Sequence, residues 1–144
     1  MTVSEIYGNI RYNENLIDQY QAERRGLEAQ IGELEALRNK FASLQERFGE
    51  RQNSRRSNLQ RFTNSGIHNQ IIGRYFSGMS GLLSGWEFQN AYNGLDDAKY
   101  KINQKIRELD NKIDACEDNI RYRNQRRNYW LQQLYAAQAA EEGD

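Results

Sequence analysis

Not one proline occurs between Met1 and Asp144. Proline removes a helix donor and clashes with the preceding turn, so a chain without it can run long helices unbroken. The apolar residues are spaced to use that freedom. From Val3 they step by three and four through Ile6, Ile10, Ile17, Tyr20, Leu27, Ile31, Leu34, Phe41 and Phe48. Asn13, Arg24, Arg38 and Gln45 fall on the same track and interrupt it. This is a coiled-coil seam with polar breaks. The step continues through Gln52 and Arg55 to Leu59 and Phe62, which favours the longer of two possible first helices.

A second seam runs from Phe88 through Tyr92, Leu95, Lys99, Ile102, Ile106, Leu109, Ile113, Cys116 and Ile120. It carries on through Arg123, Arg127, Trp130 and Leu134. At 1.5 Å per residue, a helix of some 50 residues is roughly 75 Å long. Two such helices in one small chain fold back most simply as an antiparallel pair. The expected fold is therefore all-α: a single elongated, coiled-coil-like helical-hairpin domain over 1–144. Helix 1 is expected over about 3–62, a glycine-rich and partly helical tip over about 64–86, helix 2 over about 87–138 and an acidic tail over 139–144.

Composition narrows the function classes. Twenty basic residues balance twenty acidic ones, so no global field draws the chain to nucleic acid or to an anionic membrane. A mean hydropathy of −1.00 implies that little of each helix is buried. Cys116 is the only cysteine, which excludes an intrachain disulfide. No apolar run approaches the ~20 residues that span a bilayer, so stable membrane insertion is not expected. MTVSEIYGNIRYNEN lacks the basic start and apolar middle of a classical signal peptide, so export would use a folded state or a dedicated route.

No residue group reads as a catalytic, metal or cofactor site. Gly73 to Ser80 has the glycine spacing of a phosphate-binding loop, but Met79 stands where its lysine would be and no strand leads in. His68 is the only histidine, too little for a metal site without a cluster of carboxylates. Cys116 lies on the seam, where a thiol is ordinarily buried and inert. Arg121, Arg123, Arg126 and Arg127 interleave with Tyr122, Tyr129 and Trp130. Arginine beside aromatics fits nucleic acid in principle, but it also fits a surface that pairs with another helix, and nucleic acid is not the expected partner.

The charged breaks in both seams point to a hairpin whose private core is imperfect, suited to completing a larger bundle. An antiparallel fold brings the two chain ends together, where Ile6, Tyr7, Ile10, Tyr12, Tyr129, Trp130, Leu134 and Tyr135 cluster. The expected partner surface uses Ile6, Ile10 and Ile17 from helix 1 with Tyr129, Trp130 and Leu134 from helix 2.

Between the seams lies GLLSGWEFQNAY, residues 81–92, with Trp86 bracketed by Gly81, Gly85 and Phe88. A helix, a turn bearing tryptophan and glycine, and a second helix resemble the WXG-type (ESX-like) helical hairpins of type VII secretion. At this length the chain looks most like the small partner proteins encoded beside LXG-domain toxins in Gram-positive bacteria. The family's Trp-x-Gly is here Trp86-Glu87-Phe88, with the glycine at Gly85. The resemblance implies an adaptor or targeting chaperone that binds a toxin's helical N-terminal domain and helps present it for export. A second small helical partner and the secretion machinery would be further partners. It implies an export motif of the form Tyr-x-x-x-Asp/Glu, which Tyr92 to Asp96 matches. It also implies a cytoplasmic protein, or one exported together with its partner. Trp86 would either plug the tip or dock on a secretion component. The alternative from another class is a homo-oligomeric structural coiled coil.

Overall fold

The computed structural model describes residues 1–64, 74, 78 and 85–143, without the side chains of residues 62–64, 86 and 87. It is an all-α helical hairpin of two long helices packed against each other. Helix α1 spans Val3–Asn64 and helix α2 spans Trp86–Glu142. No strand occurs among the described residues. Apart from the flanks at Asn64, Gly85 and Trp86 and the isolated positions 74 and 78, the glycine-rich tip expected over 64–86 lies outside them. So do His68 and most of the loop-like stretch from Gly73 to Ser80.

The start of α1 is fixed by a reciprocal cap. The Glu5 amide donates to Thr2 Oγ1 at 3.2 Å, and the Thr2 amide donates to Glu5 Oε2 at 2.8 Å. Two donors that no helical carbonyl can reach are thereby satisfied. The Glu5 charge also complements the positive end of the helix dipole. At the start of α2, Gly85 sits one residue before the helix and its carbonyl accepts from the Gln89 amide at 3.2 Å. Glycine is well tolerated at such a cap.

The chain forms two compact units. The first joins Met1–Glu33 to Ile106–Asp144. Its interior is the predicted seam: Ile6, Ile10, Ile17 and Leu27 of α1 are buried, as are Leu109, Cys116 and Leu134 of α2. Asn13 is buried too, and its Nδ2 donates back to the Asn9 carbonyl at 2.8 Å. Its Oδ1 accepts from Arg123 Nη1 at 3.4 Å across the hairpin.

The second unit is Leu34–Lys105. Leu59, Gln45 and Gln52 of the α1 seam are buried there, as is Ile102 of the α2 seam. Arg38 Nη1 donates to Asn103 Oδ1 at 2.8 Å. Asn13, Arg38 and Gln45 therefore meet polar partners across the helix pair, and the hydrogen bonds offset the cost of removing those groups from water.

Cys116 is 3% exposed, and burial together with the nearby Glu23 carboxylate raises its pKa above that of an ordinary thiol. Only the thiolate is nucleophilic, so the native thiol should react with a disulfide reagent at least ~10-fold more slowly than the unfolded one. Rapid labelling of the native protein at neutral pH would show that this stretch of the seam opens freely.

Candidate interaction surface

In the first unit the expected partner residues divide into two groups. Ile6, Ile10 and Leu134 form a buried cluster, with Val3, Trp130, Leu131 and Ala137 packed against it. Ile17 is also buried. The aliphatic members of the expected surface thus spend their area on one another. Two antiparallel helices suffice to cover isoleucine and leucine at a three-four step, because in this unit the two seams face each other. Tyr129 is exposed and Trp130 half-buried, so these two remain at the surface.

Around them lies an arrangement of alternating guanidinium groups and rings. Arg123 stands 5.6 Å from the centre of the Tyr12 ring and 5.0 Å from that of Tyr122, joining α1 to α2. Arg126 stands 5.0 Å from the Tyr129 ring and 5.8 Å from the Trp130 ring. Tyr129 and Trp130 meet edge to face at 5.0 Å and 76°. Positions 122, 126 and 129 are neighbours at helical spacing, so the rings form one strip along α2. Tyr12 and Tyr122 are more than half exposed.

Each cation here lies over a ring face, where the ring quadrupole attracts it. Such contacts hold long arginine side chains in place without hiding the rings from solvent. The Nε of Arg127 is buried with no hydrogen-bond partner, next to this strip in sequence. The sequence signal for the strip is the Arg121-Tyr122-Arg123 run, in which Tyr122 lies off the seam and Arg123 on it, and Tyr12 is the residue that the run alone does not show.

The second unit places the motif residues of the resemblance. Phe88 stacks on Phe48 of α1, with ring centres 4.8 Å apart and planes at 24°, and lies 6.0 Å from the Tyr92 ring. It is therefore a packing residue of the hairpin. Gln45 Nε2 donates to the Tyr92 carbonyl at 3.1 Å and to Asp96 Oδ1 at 2.7 Å. Lys99 Nζ donates to Gln45 Oε1 at 2.6 Å and lies 3.3 Å from Asp96 Oδ1.

The Gln45 hydrogen bond and the Lys99 ammonium hold the Asp96 carboxyl below its ordinary pKa. Asp96 is thus tied into a polar layer with α1, while the Tyr92 ring stays partly exposed. The Trp86 side chain, on which the tip-or-docking question turns, lies outside the described residues.

No group of three or more metal-ligating side chains occurs among the described residues, and none of their helices is long and apolar enough to cross a membrane. No protein-family model matches the chain, and no curated protein or solved structure is significantly similar to it.

Proposed function

We propose that the chain is a non-enzymatic adaptor that binds the helical N-terminal domain of a type VII-secreted, LXG-type toxin and helps present it for export. The observation that supports this reading is the surface strip in which the exposed rings of Tyr12, Tyr122 and Tyr129 are interleaved with half-buried Arg123, Arg126 and Trp130. Tyrosine, tryptophan and arginine are the residues most enriched at protein interfaces, because rigid rings bury large area at low entropy cost. Their positions are already fixed by the hairpin, which lowers the cost of ordering them on binding. An incoming helix would lay its apolar stripe along this strip, leaving the buried Ile6, Ile10, Ile17 and Leu134 to hold the hairpin together.

The test is a binding isotherm with the helical N-terminal domain of a toxin encoded beside this gene. The double variant Tyr122→Ala/Tyr129→Ala should weaken binding by about 10- to 100-fold. Its melting temperature should stay close to that of the parent, since both rings are exposed. Unchanged affinity would remove the strip from the interface. A stable high-order homo-oligomer that ignores such domains would replace the adaptor reading with a structural coiled coil.

A further inference from the structure

We propose that the outward face of α1 between Ala36 and Arg55 is a docking groove for one acidic, amphipathic helix of another protein. The groove lies wholly within the second unit and is separate from the aromatic strip, so it goes beyond the toxin reading. It is lined by Lys40, Leu44 and Arg47 together with the small residues Ala36, Asn39 and Ser43. Leu37 and Leu44 are 40% and 51% exposed. They stand seven residues apart, as do Ala36 and Ser43, which is the repeat a second helix needs to seat its own side chains.

Charge decides what that helix carries. At 100° per residue, Lys40, Arg47, Arg51 and Arg55 share the flank of Leu37 and Leu44, whereas Glu35, Glu46 and Glu50 fall on the other side. All four cations are exposed, and none has an ion pair among the described residues. From Arg51 to Trp86 the sequence holds no aspartate or glutamate at all.

A row of exposed cations beside leucines at heptad spacing is complementary to leucines flanked by glutamates. Nucleic acid fits the row less well, because the rings nearest its cations, Phe41 and Phe48, are half-buried on the seam, with Phe48 stacked on Phe88, and not free to stack a base. A second copy of this chain fits less well too. The run of acids on α2, from Asp110 to Asp118, has no leucine pair beside it on its exposed side.

The experiment uses the full chain and a labelled 21-residue synthetic peptide of ~six turns, with leucine twice in each heptad and glutamate at the flanking positions. Fluorescence anisotropy at low salt should show saturable one-to-one binding, weakened as the salt rises. A scrambled peptide of the same composition should bind at least ~10-fold more weakly. The variants Arg47→Glu/Arg51→Glu/Arg55→Glu and Leu37→Ser/Leu44→Ser should each lose ~10-fold or more, with helicity unchanged because every altered side chain is exposed.

Equal binding of the scrambled peptide would reduce the groove to a charged patch and overturn the proposal. So would full binding by the leucine variant, or loss of the peptide from Tyr122→Ala/Tyr129→Ala. Dimerisation of the chain alone that the arginine variant abolishes would replace the foreign helix with a second copy. The toxin-domain isotherm stands apart from all of these outcomes, so either reading can fail without the other.

Discussion

Leu109→Ala is expected to lower the unfolding free energy by about 2 to 5 kcal/mol, the range for truncating a well-packed leucine. Leu109 is the most deeply buried side chain among the described residues, at 2% exposure. The interior around it is thin, because among the described residues the two helices offer only their facing seams. A vacated site can collapse only if neighbours move in, and here the neighbours are other seam residues already in use. Since small domains are stable by only about 5 to 15 kcal/mol, one such loss is a large share of the total. Denaturant unfolding followed by circular dichroism measures it. Leu44→Ala, at an exposed leucine of the same chemistry, should cost well under 1 kcal/mol in the same assay. Equal losses at the two sites would mean that burial, as placed, does not hold this fold.

The fold was legible because one physical rule governs nearly the whole chain. With no proline and a three-four apolar step, the inward face of each helix can be counted off, and the burial follows that count down to Asn13, Gln45 and Gln52. Arg55 and Tyr92 are the positions where the count and the burial part, since both are exposed. A long cation and a phenol can each leave a seam cheaply by turning the polar end to water. The start of α1 was also written in the sequence, as Thr2 three residues before Glu5, a signal that the apolar step does not use.

The candidate surface was only half legible. Counting aromatic and branched residues at the chain ends draws attention to the region that holds the strip, but it does not tell which side chains face inward. Ile6, Ile10 and Leu134 lie on the seam and are consumed there, while Tyr122 and Tyr129 lie one heptad apart off it and stay exposed. Off-seam position is the useful signal, because an aromatic kept outside the core is exposed unless something else covers it. The Arg123 contact to Tyr12 depends on the pairing of the two helices. No single-helix pattern contains it.

The pairing itself is the subject of the remaining expectation, which concerns Asn13. This residue is 3% exposed at a seam position where leucine would pack better. Asn13→Leu should therefore stabilise the hairpin, by about 1 to 3 kcal/mol. The gain should come with a loss of uniqueness. In the parent, the Asn13 amide is satisfied by the Asn9 carbonyl and by Arg123, and a slip by one heptad would strip it of the Arg123 contact. With leucine there, α1 would present apolar residues at 6, 10, 13 and 17, and a seven-residue slide would place Ile17 where Ile10 was. Few polar contacts in the first unit would then oppose the slide. The indole proton of Trp130, packed against the Ile6 and Leu134 cluster, reports the register directly. A higher melting temperature together with an added indole signal in the proton–nitrogen spectrum is the expected result. A less stable variant with a single set of signals would mean that Asn13 serves its bond to Asn9 and that the register is set elsewhere.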